Sequence, residues 1–178
     1  MSVGDFNFHL RKKNASVYET EKFLVKISPE FYKRIIIHQH FETALHFGLG
    51  GIHLPENLRQ QLDEFKKTGN KIVSTSVHQL DNLNNIQEDF EYIFYSPVFK
   101  SISKNDYFPG MSIDELKLQI ERSNSRKLIA LGGINKENFN EALQIGFVGV
   151  ALLGAVWQHK NPVNYFSEFL SAFNGVVR

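Results

Sequence analysis

Short apolar runs alternate with longer amphipathic stretches along the chain, and this alternation limits the fold more than any other feature. Several runs are apolar at consecutive positions, as in the three isoleucines of 35–37 and the Tyr-Ile-Phe-Tyr of 92–95. A strand that is apolar on both faces belongs in a parallel sheet covered by helices. Seven runs read as strands: residues 6–10, 34–37, 51–54, 71–74, 92–95, 127–131 and 149–153.

The stretches between these runs carry helical signals. Ser112 with Glu115 fits a capping box, and Asn161 before Pro162 is typical of a helix start. Asn135 is expected to cap a further helix that ends at Gly146. Apolar residues at helical spacing predict the buried faces of three helices. These faces are Leu58, Leu62 and Phe65; Ile113, Leu116 and Ile120; and Val163, Phe166, Leu170 and Phe173.

Seven strand-helix units in 178 residues lie between the two common α/β architectures. An open doubly wound sheet usually has about five or six strands, whereas a (β/α)₈ barrel needs eight and typically about 250 residues. One missing unit at the N-terminus would reconcile the count with a barrel. Because unpaired strand edges are normally covered, the N-terminal residues or a partner chain, as in a homodimer, should lie near the gap.

Composition excludes several classes of function. The net charge of +1 supplies no global field that would attract nucleic acid or a membrane surface. The chain has no cysteine, so disulfides and thiolate chemistry are excluded. It also shows neither a secretory signal pattern at its start nor an apolar stretch of membrane-spanning length. We expect a cytoplasmic protein that binds neither nucleic acid nor membrane.

Histidines gather at the ends of the predicted strands, where barrel enzymes place their chemistry. His9, His38, His53 and His78 occupy such positions. Each is interpreted either as a histidine at the edge of the core or as part of a pocket. Neutral imidazole is a common zinc ligand. No carboxylate follows a matching strand, however, so we predict no metal site.

Two glycine-containing turns suggest a phosphate site. Gly132 and Gly133 follow one predicted strand, and Leu153 and Gly154 follow the last. Glycine allows a close backbone approach, and amides at a helix start suit an anion. Glycines in such turns otherwise only permit tight bends. Polar side chains in the preceding long loop favour the anion site: Ser101, Ser103 and Lys104.

Six segments in chain order resemble the thiamine phosphate synthase and TenI superfamily of (β/α)₈ barrels. They are HLRKK (9–13), GIHLP (51–55), SVH (76–78), SPVFKSISK (96–104), LGGI (131–134) and GVALLGAVW (149–157). The synthase joins a hydroxymethylpyrimidine pyrophosphate to a thiazole phosphate and releases pyrophosphate. The resemblance places its first matching strand at barrel strand 2. It therefore implies a single TIM-barrel domain over residues 1–178, lacking or shortened at the first strand-helix unit.

The resemblance implies roles for individual residues. Cationic residues would bind the pyrophosphate, and Ser76 would lie near the departing group. Ser101 and Ser103 would hold the thiazole phosphate. The glycine turns would form the backbone phosphate cup, and His9, His38, Gln39 and His53 would line the pocket. The implied cations are Arg11, Lys13 and Lys104.

Two departures from the family pattern concern its Mg²⁺ site. The resemblance places Gln39 and Leu58 where the synthase has magnesium-binding aspartates. Magnesium requires oxygen ligands; Gln39 offers one neutral oxygen and Leu58 offers none. We therefore expect no cofactor, with Mg²⁺ needed only for a synthase.

Three activities stay open at this stage. The favoured hypothesis is a metal-independent thiazole tautomerase of the TenI type, in which His78 moves the ring proton and Ser76 orients the substrate carboxylate. The first alternative is a divergent thiamine-phosphate synthase. The second is a non-catalytic regulator that binds thiazole phosphate. Each hypothesis implies a phosphorylated thiazole or pyrimidine as the small-molecule partner.

Overall fold

The computed structural model describes residues 6–67, 69, 71–83, 86, 89–100, 111–122 and 127–176. The chain divides into two compact units. The described residues of 6–75 and 89–91 belong to the first unit, and the other described residues belong to the second.

The first unit is built on parallel strands in the order β1-β2-β3-β4. The strands are β1 (Phe8–Leu10), β2 (Ile35–Ile37), β3 (Gly51–His53) and the start of β4 (Ile72–Val77). The register pairs His9 with Ile36, Ile37 with Ile52, and His53 with Ser74, so the carboxyl ends of the strands lie side by side. Helices α1 (Val17–Leu24), α2 (Phe41–Phe47) and α3 (Leu62–Lys67) lie between them, with 3₁₀ segments at Pro29–Arg34 and Glu56–Gln61.

The second unit begins within β4 and continues with the parallel strands β5 (Tyr92–Tyr95), β6 (Leu128–Leu131) and β7 (Gly149–Ala151). The amide of Ser96 donates to the carbonyl of Val77 at 3.2 Å, which ties the loop after β5 to the end of β4. A 3₁₀ segment at Leu80–Leu83 follows β4. The helices are α4 (Ile113–Glu121), α5 (Phe139–Ile145), α6 (Gly154–Trp157) and α7 (Pro162–Val176).

All seven predicted strands are confirmed, and β2, β3 and most of β4 and β5 are buried in the core. Ile36, Ile37 and Ile52 have no exposed surface, and Ile93 and Leu128 are also buried. The boundaries differ most at β4, which extends to Val77, so that Ser76 lies inside the strand. The prediction of a single domain over residues 1–178 stays a prediction.

The helix predictions had mixed outcomes. Ser112 and Glu115 form the expected reciprocal capping box, and Asn161 accepts from the amide of Asn164 at the start of α7. The predicted face of α7 is wrong at its first residue, since Val163 is 80% exposed and the buried residues are Tyr165 and Phe169. No helix among the described residues has the length and apolar character needed to cross a bilayer.

Candidate functional site

Three histidines meet at the carboxyl ends of β1, β2 and β3 in the first unit. His9 lies in β1, His38 directly follows β2, and His53 is the last residue of β3. Nδ1 of His9 and Nε2 of His38 share a hydrogen bond of 2.9 Å. The rings of His38 and His53 stack with centroids 4.2 Å apart. The histidine cluster is thus a consequence of the parallel register, which brings three strand ends together.

A buried serine orients the third member of the cluster. Nδ1 of His53 lies 3.0 Å from Oγ of Ser74. The Ser74 hydroxyl donates to the carbonyl of Ile52 at 3.5 Å, so its oxygen accepts the proton of His53 Nδ1. Nδ1 of His53 therefore carries the ring hydrogen in the neutral imidazole, and Nε2 carries the lone pair.

Burial keeps all three imidazoles neutral at physiological pH. It lowers the pKa of His53 to about 2, with further lowering by the charges of the other two histidines, Arg11 and Arg59. The pKa of His9 falls to about 3 through burial and His38, and that of His38 falls to about 4 through burial and Arg11. Any positive charge in this part of the first unit therefore comes from arginine and lysine.

Arg59 is a cation held in place beside this cluster. Its Nε donates to Oγ1 of Thr75 at 3.1 Å, and its guanidinium pairs with the exposed carboxylate of Glu56 at 3.3 Å. The Arg59 side chain is only 11% exposed. The Thr75 hydroxyl donates in turn to the carbonyl of Leu54 at 2.8 Å, which positions its oxygen to accept from Arg59.

Sequence reasoning missed both Arg59 and Ser74. A signal for Arg59 was present, since it directly follows Leu58, where the family pattern has a carboxylate. Ser74 gave no comparable signal. Its partner His53 lies on the neighbouring strand, and the pairing is known only when the register of the two strands is known. Arg11 and Lys13 lie exposed after β1 as the sequence suggested, and the charge of Arg11 acts on His38 and His53.

The donor set at the expected magnesium positions does not fit Mg²⁺. The side-chain amide of Gln39 donates to the carbonyls of Lys12 and Ala15 at 2.8 and 3.2 Å, so it anchors the loop after β1. Leu58 lies half-buried in the 3₁₀ segment and has no oxygen in its side chain. Neither position supplies the anionic oxygen that this ion prefers.

His78 and Ser76 belong to the second unit. Nδ1 of His78 donates to the carbonyl of Ser96 at 2.8 Å, so the ring is oriented and Nε2 is its unprotonated nitrogen when the imidazole is neutral. His78 is exposed, whereas Ser76 is half-buried within β4.

The Gly132-Gly133 turn is covered closely by the loop after β5. Both glycines have positive φ, at 93° and 71°. A Cβ on Gly133 would lie 2.5 Å from the carbonyl oxygen of Lys100, and one on Gly132 would lie 2.9 Å from Cα of Pro97. Glycine is therefore needed at both positions, because the loop after β5 leaves no space for a side chain.

The second predicted phosphate turn has a different character. Leu153 is 61% exposed, and Gly154 is the first residue of α6. The first amides of a helix have no partner within that helix. After the Gly132-Gly133 turn, the side chain of Asn135 accepts from the amides of Glu137 and Asn138. Helix α5 starts later than predicted, at Phe139. Ser101, Ser103 and Lys104 lie outside the described residues.

Sequence comparisons with known proteins identify one family. The family model described as thiamine monophosphate synthase matches residues 3–156. A thiamine-phosphate synthase of Lysinibacillus sphaericus is 26% identical over 147 residues, which are 82% of this chain and 69% of that protein. The synthase of Streptococcus suis is 31% identical over 130 residues, 72% of this chain and 56% of that protein.

Solved structures match over nearly the whole chain. A thiamine phosphate pyrophosphorylase from Bacteroides thetaiotaomicron aligns with a TM-score of 0.73 and 26% identity, covering 94% of this chain and 82% of the other. The Pyrococcus furiosus protein of that name aligns with a TM-score of 0.76 at 22% identity, covering 98% and 86%. The predicted TIM-barrel-like α/β fold is confirmed, and the chain belongs to the thiamine monophosphate synthase family, an enzyme family of thiamine biosynthesis.

Proposed function

We propose that this protein is a thiamine-phosphate synthase, which joins hydroxymethylpyrimidine pyrophosphate to thiazole phosphate with loss of pyrophosphate. Its relatives from Lysinibacillus sphaericus and Streptococcus suis carry that name. They favour this alternative over the thiazole tautomerase that the sequence favoured. Gln39 and Leu58 replace the carboxylates of the family pattern, so other groups of this chain have to stabilise the leaving pyrophosphate.

The observation that carries the proposal is the positive charge beside the histidine cluster. Arg11 and Arg59 both lower the pKa of His53, so both guanidiniums act on the same place in the first unit. When the bond between carbon and the pyrophosphate oxygen breaks, both electrons stay with the leaving group. Preorganised cations stabilise such developing charge, and guanidinium binds phosphate oxygens in a bidentate manner.

The anchoring of Arg59 suits this role. A side chain already held by Thr75 and largely removed from solvent loses little freedom when it binds an anion. The neutral imidazoles of the cluster add no negative charge that would repel the anion. Lys13, exposed after β1, would add charge to the same anion.

We propose that thiazole phosphate binds in the second unit, at Leu153 and Gly154 with the Gly132-Gly133 turn. Support comes from the start of α6 at Gly154, since the first amides of a helix have no hydrogen-bond partner within that helix. Soaking crystals with inorganic phosphate tests this assignment. Phosphate bound elsewhere, with these turns empty, would contradict it.

The role of Arg59 is tested by Arg59→Gln. This variant should lower kcat/KM for thiamine phosphate formation by about 10²- to 10³-fold, as expected for loss of one donor that stabilises a developing anion. Arg122→Gln is the matched control, since Arg122 lies exposed after α4 and should retain full activity. If Arg59→Gln keeps the wild-type activity at both saturating and subsaturating concentrations of the two substrates, Arg59 is not part of the pyrophosphate site.

The tautomerase hypothesis keeps one specific observation in its favour. The Ser96 carbonyl fixes the ring of His78 with Nε2 unprotonated, which is the arrangement of a general base. Under this hypothesis His78→Asn should slow aromatisation of a carboxythiazole phosphate at least about a hundredfold while phosphate affinity stays nearly unchanged. A wild-type protein that converts this substrate without forming thiamine phosphate would establish the tautomerase and refute the synthase.

A further inference from the structure

We propose that His9, His38 and His53 form a binding site for a divalent transition-metal ion of the Zn²⁺ type. Among the described residues of the chain, these three side chains form a group in which one ligand nitrogen of each lies within 4.8 Å of the other two. The site is distinct from the magnesium positions of the family pattern, and it stands independently of the proposed synthase activity.

One nitrogen pair of the cluster already has a spacing close to that of a zinc site. Nδ1 of His9 and Nε2 of His38 are 2.9 Å apart, and two nitrogens bound to one zinc ion at about 2.1 Å each lie roughly 3 to 3.5 Å apart. The three ligand nitrogens lie within 4.8 Å of one another, and the ring centroids of the three pairs are 4.2 to 5.7 Å apart. Binding an ion therefore requires rotation of the rings that brings the third nitrogen closer to this pair.

The surroundings of His53 resemble the outer shell of a bound metal. A metal-ligating histidine usually donates its second ring N–H to a fixed acceptor, which sets the tautomer and the ring orientation. Oγ of Ser74 is that acceptor, and its own hydroxyl hydrogen goes to the carbonyl of Ile52. An ion bound by His53 would therefore be coordinated by Nε2.

The hydrogen bond between His9 and His38 has to be replaced when an ion binds. One of its two nitrogens carries a hydrogen, and this hydrogen moves to the other nitrogen of the same imidazole. Each ring stays neutral in this exchange, so the cluster need not lose a net proton to become a set of three ligands. Neutral imidazole is the form that binds a metal.

The chemistry of the donors selects the ion. Three imidazole nitrogens suit zinc and its neighbours in the first transition row, whereas magnesium and calcium prefer oxygen. Three protein ligands also leave a fourth position open, which is the pattern of catalytic rather than structural zinc. Arg11 and Arg59 add positive charge nearby and oppose the cation, so an anion in the fourth position would strengthen its binding.

The test is a titration of the full chain, without a polyhistidine tag, with Zn²⁺ in competition with a chromophoric chelator. The wild-type protein should bind one ion per chain, and His38→Gln should weaken that binding at least about tenfold. Removing only an outer partner of a ligand typically costs about 10- to 100-fold in affinity. His46→Gln is the matched control, since His46 lies exposed on α2 in the same unit and should leave the titration unchanged.

A second variant guards against loss of the fold. His9→Gln should weaken Zn²⁺ binding in the same way, and circular dichroism with thermal unfolding identifies whichever variant keeps the wild-type fold. Anomalous diffraction at the zinc edge should place the ion between the three rings. The proposal fails if the wild-type protein binds no Zn²⁺ in the titration, if a folded His38→Gln or His9→Gln variant binds it as tightly as wild type, or if the ion lies elsewhere.

Discussion

Three single residues of the first unit, the cluster histidines, have strongly lowered pKa values, and these values make the stability of the protein depend on pH. His9, His38 and His53 have pKa values near 3, 4 and 2 in the folded chain, against an ordinary value of 6.5. Below pH 6.5 the unfolded chain therefore binds more protons than the folded chain. The contribution of each histidine is fully present above pH 6.5 and is lost as the pH falls toward its folded value.

We predict that the free energy of unfolding of the metal-free protein decreases by roughly 1 kcal/mol per cluster histidine between pH 6 and pH 5. Among the described groups that face one another in the cluster, the three histidines account for this decrease. His53→Gln should reduce the slope, whereas His46→Gln should retain it. Urea unfolding with a chelator present measures the effect, and a wild-type stability that is flat over this range would contradict the pKa values.

The residues at the expected magnesium positions, Gln39 and Leu58, lead to a separate prediction. The wild-type protein should show no micromolar binding of Mg²⁺ in calorimetry without substrate, because Gln39 and Leu58 supply no carboxylate. Gln39→Asp combined with Leu58→Asp should introduce measurable Mg²⁺ binding, since paired anionic oxygens are what this ion prefers. Tight binding of Mg²⁺ to the wild-type chain would show that other residues hold the ion.

At the scale of elements, the turn after β6 is limited by backbone space. Gly133→Ala should destabilise the protein by about 2 kcal/mol or more, because φ is 71° and the new Cβ would meet the carbonyl oxygen of Lys100 at 2.5 Å. Gly175→Ala is the control in the same unit. A Cβ at Gly175 meets no atom within 4 Å, and alanine favours the helix α7 by about 0.5–1 kcal/mol. Equal stability of the two variants in thermal unfolding would refute the proposed crowding.

The strands were predictable from sequence because their signal is local. The isoleucines of β2 and the residues of β5 are apolar at consecutive positions, and only a buried strand explains that pattern. The capping box of Ser112 was predictable for the same reason, since both partners lie three residues apart. The buried face of α7 was not, because Val163 and Tyr165 are both compatible with a helix and only packing decides which one is buried.

The candidate site was predictable only in part. The histidines at strand ends follow from counting residues beyond each apolar run, and the register then brings three of them together. Leu58 hinted at its neighbour Arg59 in the sequence, but the buried position of the Arg59 side chain depends on Thr75 in β4 and could not be read from local residues. The low pKa values likewise arise from burial within the fold and not from neighbours in sequence.

At the scale of the whole molecule, positive charge is concentrated at one place although the net charge is small. The chain carries a net charge of only +1, yet two guanidiniums act on the same histidine in the first unit. The proposed synthase reaction requires such an arrangement, because the pyrophosphate that it releases needs one local site of positive charge and no general attraction for anions.

The measurement that tests this account most directly is one reaction mixture, analysed by mass spectrometry. It contains the protein, hydroxymethylpyrimidine pyrophosphate and thiazole phosphate, with Mg²⁺ in one sample and a chelator in another. The account predicts thiamine phosphate and pyrophosphate in equal amounts, and much less of both with Arg59→Gln than with Arg122→Gln. Unchanged substrates in both samples would contradict it, as would conversion of carboxythiazole phosphate in a parallel sample as the sole reaction.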